Sequence, residues 1–152
     1  MDSVIDHYGD NPKISAQPQL VLLSRHPDAR SRSPYPGLML PETDVARVRR
    51  WVDARNERLP ERARGQIRYE LDVADRHVTV LECRPPWRPE YGPDWTRFPI
   101  VRFHYAKARG GWSTYWRDRN LRFHRFDLIP PSGRVEDLLA AVDADSTGIF
   151  WG

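Results

Sequence analysis

From residue 40 onward the apolar positions fall into blocks with a recognisable period. Val45, Val48, Val52 and Leu59 follow helical spacing, with Arg47, Arg50 and Arg55 off that stripe. Pro41, Glu42 and Asp44 suit a first turn, where a missing N–H costs nothing and carboxylates meet the positive end of the helix. Leu59-Pro60 predicts the helix end, because the residue before a proline is pushed out of the helical region. Residues 67–73 then alternate strictly between apolar and polar, the mark of a half-buried strand. Ala74-Asp75-Arg76 predicts a turn into a second strand over 77–83. A loop rich in proline and aromatics covers 84–98. Three more strands are predicted over about 99–107, 112–118 and 121–127. Arg109-Gly110-Gly111 and Arg119-Asn120 mark the tight turns between them. Val135, Leu138, Leu139 and Val142 form the stripe of a last helix, with Ser132 as cap candidate and acidic residues up to Asp137 at its amino end. Ile149-Phe150-Trp151 is too apolar to dangle and predicts a tail docked on the core.

The order helix, five strands, helix with short links predicts an α+β fold. It is a five-stranded antiparallel meander with an N-terminal and a C-terminal helix packed on one face. Residues 1–38 are rich in Pro, Ser, Asp and Arg without a sustained period. They are expected to be a disordered or loosely ordered N-terminal extension. Residues 39–152 are then a single α+β domain that starts at Met39.

Charge changes the picture. The chain of 152 residues carries a formal net charge of only +3. Residues 47–125 nevertheless hold 19 basic and 10 acidic residues, and residues 126–152 one basic and five acidic. Lys13 and Lys107 are the only lysines. The remaining cations are arginines, whose planar forks suit carboxylate and phosphate, although a GC-rich coding sequence would enrich arginine as well. The single cysteine, Cys83, excludes an intramolecular disulfide and reads as an inert core thiol. No apolar run approaches the ~20 residues that span a bilayer, and the run 20–23 is too short for a signal peptide. A cytoplasmic protein with no membrane partner is expected.

Glu82-Cys83-Arg84-Pro85-Pro86-Trp87-Arg88, Trp95-Thr96-Arg97, Tyr115-Trp116-Arg117-Asp118-Arg119-Asn120-Leu121 and the terminal Thr147-Gly148-Ile149-Phe150-Trp151-Gly152 carry a resemblance. Together they resemble a bacterial family, domain of unknown function 3024 (DUF3024), over about 40–152. The resemblance implies a small bacterial protein. It implies no activity and no catalytic residue.

The turns set what the sheet presents. A two-residue Arg119-Asn120 turn and a four-residue 108–111 turn would place Asp118 opposite Leu121 and Lys107 opposite Trp112. Val101, Phe103, Tyr105, Trp112, Trp116, Leu121 and Phe123 would then face the helices. The other face would carry two rows, Arg102–Arg117–Arg122 and His104–Tyr115–His124, with Phe126 beside them. Like charges opposite one another repel, and a bound anion relieves them. Arginines beside aromatics on an open sheet suit single-stranded nucleic acid or another phosphate-bearing ligand. The plain alternative is a solvated face. A small metal-independent ribonuclease would use His104 and His124 as base and acid, with arginine stabilising the developing charge. A protein–protein interaction module or a homodimer is the third reading. Glu70, Asp72 and Glu82 form a carboxylate group on the first hairpin; Glu70 and Asp72 read as the wet side of an edge strand and Glu82 as the partner of an arginine, rather than as a metal site. The Pro85-Pro86-Trp87-Arg88 loop and Trp95 read as a packed loop, or else as an interaction surface. No nucleotide loop, cofactor fingerprint or Cys/His cluster is present, so no cofactor and no metal is expected.

Overall fold

The structure, a computed structural model, describes residues 39–152. The expectation for 1–38 lies outside the described residues. Helix α1 spans Glu42–Glu57, with Pro41 at its N-cap position and Glu42 and Asp44 in the first turn. It ends where Leu59-Pro60 requires, and a one-turn helix α2 follows at Glu61–Arg64. The strands are β1 (Arg68–Val73), β2 (His77–Arg84), β3 (Thr96–Ala106), β4 (Gly111–Arg117) and β5 (Phe123–Arg125). Helix α3 covers Val135–Ala144. The strands form one antiparallel sheet in the order β1-β2-β3-β4-β5, the expected meander.

Both long helices pack on one face. Val45, Val48 and Val52 of α1 and Val135, Leu138, Leu139 and Val142 of α3 are buried with Val78, Val80, Val101, Phe103 and Trp112 of the sheet. Trp51 meets Phe103 edge-on at 6.4 Å. Each fully buried aliphatic or aromatic side chain contributes about 1.5–3 kcal/mol, so this layer carries most of the stability. No helix among the described residues is long and apolar enough to cross a membrane.

Three polar devices fix the layers. The Asp44 carboxylate accepts the indole N–H of the fully buried Trp112 at 2.9 Å and takes Arg47 at 2.7 Å, and Arg47 also reaches Glu136 at 2.8 Å. Asn56 pairs with the backbone of Tyr69 through both its amide oxygen (2.7 Å) and its amide nitrogen (2.8 Å), so a side chain does the work of a strand at the outer edge of β1. Ahead of α3, Ser132 exchanges two backbone hydrogen bonds with Trp112, at 2.7 and 3.0 Å. Gly111 makes that approach possible. A Cβ there would lie 2.4 Å from the Ser132 carbonyl oxygen, and its φ of +138° suits glycine.

The tail docks as the sequence predicts. The Asp145 carboxylate accepts the backbone N–H groups of Phe150 (3.2 Å) and Trp151 (2.9 Å). Phe150 is the buried residue, edge-on to Phe126 at 5.2 Å. Trp151 is half-buried, with the Arg55 guanidinium 3.2 Å from its ring centroid and its indole N–H on the Val142 carbonyl.

Two substitutions test this layer. Asp44→Ala leaves the Trp112 N–H without a partner inside the core and should cost about 2–3 kcal/mol in urea unfolding. The Thr114 hydroxyl is buried with no hydrogen-bond partner among the described residues. Thr114→Val should therefore be neutral or stabilise by about 1 kcal/mol. A clear loss of stability in Thr114→Val would mean that the hydroxyl is satisfied by an ordered water.

Candidate functional site

Two turns decide which side chains share the uncovered face. Between β3 and β4 the loop is 107–110, so Ala106 pairs with Gly111 and Arg102 with Tyr115. That is two residues away from the expected register. A two-residue shift changes partners and keeps faces, so Val101, Phe103 and Trp112 remain in the core. Between β4 and β5 the loop has three residues, not two. Asp118 and Arg122 close it, Leu121 sits at φ +63°, and the Asp118 carboxylate accepts the backbone N–H of Asn120 (2.8 Å) and of Arg122 (3.0 Å). This is the three-residue hairpin with a left-handed third position, built here without glycine. The extra residue shifts β5 by one and turns every β5 side chain over.

The consequence corrects the expected rows. His124 pairs with Trp116 on the helix side, stacks on it at 5.1 Å and contacts the Asp118 carboxylate at 2.8 Å. Phe126 is also on that side, against Phe150. Phe123, expected in the core, lies instead on the open face with Arg125, and Leu121 is an exposed turn residue. Arg122 lies outside the strands in the turn, so the Arg102–Arg117–Arg122 row does not form. Arg117 faces Phe123, and its guanidinium donates to the carbonyls of Pro99 and Asp118, which makes it a clamp on backbone at the β3 bulge. His104 and His124 end on opposite faces, so the His104–Tyr115–His124 row does not form either.

What the open face does bring together is a different row. Asp72, Thr79, Arg102, Tyr115 and Arg125 are consecutive cross-strand partners from β1 to β5. The Arg102 guanidinium donates through Nε to Thr79 Oγ1 at 2.9 Å, and the Phe123 ring reaches over β4 to lie 3.8 Å from it. Beside this row His77 stands directly opposite His104, and the His104 ring meets Tyr115 edge-on at 6.0 Å. His77, Thr79, Phe123 and Arg125 were not legible as site residues. The β2–β3 register depends on the long 84–95 connection, and the β5 faces depend on a left-handed leucine that no glycine announces. The one available signal was Asp118 as an Asx-turn residue.

Burial marks out Arg102 on this face. Arg47, Arg55, Arg68, Arg84, Arg88, Arg97, Arg125 and Arg134 each have a carboxylate within 4.0 Å. Arg102 has none among the described residues, and burial of its guanidinium lowers its pKa, with Asp72 opposing in part. Burial also lowers the pKa of His104, reinforced by Arg76, Arg109 and Arg102. Burial lowers that of His77 as well, followed by Arg102 and His104, against Asp72 and Asp75. At neutral pH both imidazoles are therefore uncharged and available as hydrogen-bonding groups.

The remaining candidates resolve simply. Glu70 is held by Arg68 (2.9 Å) and Arg97 (2.8 Å), which together lower its pKa, and Glu82 is held by Arg84 at 2.6 Å. No group of three or more His, Cys, Asp or Glu able to hold a metal ion occurs among the described residues. Cys83 is buried beside Glu70, and burial with that carboxylate pushes its thiol pKa up, against nucleophilic use. In the 84–95 connection Trp95 is half-buried beneath Arg68, 4.3 Å from its ring. Trp87 is not packed as expected: it is 76% exposed, touching Tyr91 and Arg88.

The family follows. The model of Domain of unknown function (DUF3024) matches residues 38–152, and the chain belongs to that family. No curated protein and no solved structure matches the sequence.

The histidine pair predicts a pH dependence. Both folded-state pKa values lie below the ordinary ~6.5, so the unfolded chain binds more protons in this range. Stability should be full above about pH 7 and fall as the pH drops below ~6.5. The lowered values of Glu70 and Asp118 add their loss only below about pH 4.5. Urea unfolding across this range should flatten between pH 7 and 5 in His77→Asn/His104→Gln, and an unchanged slope would assign the dependence elsewhere.

Proposed function

We propose that the protein binds a phosphate-bearing ligand, single-stranded nucleic acid in the first place, on the open face of its sheet. The observation that carries this reading is Arg102. It sits mid-sheet, partly desolvated, with no carboxylate partner among the described residues, one N–H on Thr79 and an aromatic ring against it. An arginine so placed loses hydration with no carboxylate in contact to offset it, and an incoming phosphate supplies that contact bidentately. Tyr115 and Phe123 flank it, and flat rings beside a phosphate-binding cation are what a base stack needs. A cytoplasmic site of action fits the buried, unpaired Cys83.

A protein partner is the second reading. Trp87 and Tyr91 stand exposed in the proline-rich connection, 5.8 Å apart. Tryptophan, tyrosine and arginine are the side chains that dominate interface energies.

Fluorescence anisotropy with a short single-stranded RNA or DNA over a salt series separates the two. Binding should weaken steeply with salt, and Arg102→Ala should reduce the log–log slope by about 0.7, the value for one phosphate contact on a single strand. Tyr115→Ala should cost about 1–3 kcal/mol of binding. Arg117→Ala should instead lower the melting temperature, because its donors hold backbone. Absence of binding at low salt would overturn the nucleic-acid reading and leave the Trp87–Tyr91 surface.

A further inference from the structure

At the end of the open face the β1–β2 turn and the β3–β4 loop enclose a cleft of about 320 Å³, lined by Met39, Arg76, His104, Tyr105, Lys107 and Ala108 among others. The Tyr105 N–H on the Arg76 carbonyl, 2.8 Å, ties the two sides together. His104 belongs to both the cleft and the face, so a ligand lying along Tyr115 can continue into the cleft. Arg76 and Lys107 have no ion-pair partner among the described residues, and neither has Arg109 in the same loop. All three charged groups that act on His104 are cations, Arg76, Arg109 and Arg102. The nearby carboxylates, Asp72 and Asp75, act on His77.

We infer that this cleft takes a terminal phosphate monoester, so that the face binds a strand by its phosphorylated end. The inference rests on the reading of the face given above. A phosphodiester inside a strand carries one negative charge, whereas a monoester carries close to two at pH 7 and presents three acceptor oxygens. Two unpaired cations on opposite walls, with a third beside them, match the second charge. A neutral His104 supplies a hydrogen bond without adding another desolvated charge. The cleft is also roomy enough for the terminal sugar as well as the phosphate.

The full-length chain should be titrated with four probes. Two are one short single strand with a terminal phosphate, on either end in turn, and the same strand with hydroxyl ends. The others are a nucleoside monophosphate and inorganic phosphate alone. The phosphorylated strand should bind at least about tenfold more tightly than its hydroxyl counterpart, the gain expected from charge-assisted contacts. Arg76→Ala and Lys107→Ala should each remove most of that gain and leave the hydroxyl strand unaffected, whereas Tyr115→Ala should weaken both strands alike. Equal binding of the two strands would overturn this inference and leave the nucleic-acid reading in place. Binding of nucleoside monophosphate or inorganic phosphate that needs Arg76, with no strand binding, would support the cleft and overturn the strand. No binding of any probe would overturn both.

Discussion

One buried carboxylate organises the domain. Asp44 sits in the first turn of α1, where the helix dipole favours a negative charge, and its two oxygens point in different directions. One takes the indole N–H of Trp112 on β4, the other takes Arg47, which also engages Glu136 at the start of α3. A single side chain thus ties both helices to the centre of the sheet. Trp112 cannot be buried without a partner for its N–H, and Asp44 cannot be buried without donors, so each makes the other tolerable. With both long helices held on this face, no helix among the described residues packs on the opposite one.

What lies on that uncovered face is settled by two short turns. The β3–β4 loop changes which residues are partners and leaves their faces alone. The β4–β5 loop, longer by one residue than a minimal hairpin, exchanges His124 for Phe123 and Arg125. Asp118 makes the longer loop stable, by accepting two backbone N–H groups that would otherwise face solvent across a left-handed Leu121. The same carboxylate holds His124 on the helix side, and these hydrogen bonds lower its pKa. One aspartate therefore sets both the geometry of the turn and the composition of the open face.

The arginines divide by what they meet. Arg47 and Arg55 on α1, Arg68 and Arg84 on the first hairpin and Arg88 in the 85–95 connection are engaged by carboxylates, contacts that in exposed positions contribute a fraction of a kcal/mol to about 1 kcal/mol each. Arg117 serves backbone carbonyls. Arg102, Arg76, Lys107 and Arg109, at the centre and one end of the open face, have no ion-pair partner among the described residues. Composition alone does not separate these groups, since all but Lys107 are arginines in a basic segment. The separation comes from register, which puts Glu70 opposite Leu81 and beside Arg97, and gives Arg102 the uncharged Thr79 and Tyr115 as its cross-strand partners.

The amino-acid sequence by itself determined the element order, the meander, the two core helices and the docked tail. Each of these follows from local periodicity, proline and capping chemistry, which act over a few neighbouring residues. It also determined the core side of β3 and β4, because strand alternation survives a slip of two. The tertiary structure alone decided the cross-strand partners. The pairing of His77 with His104 depends on closing the long 84–95 connection, and the reversal of β5 depends on Leu121 adopting a left-handed backbone that its side chain disfavours. The first is not encoded within a window of neighbouring residues, and the second has Asp118 as its one local signal. The reversal of β5 sets Phe126 against Phe150 and His124 against Trp116, contacts that exist after the chain has folded.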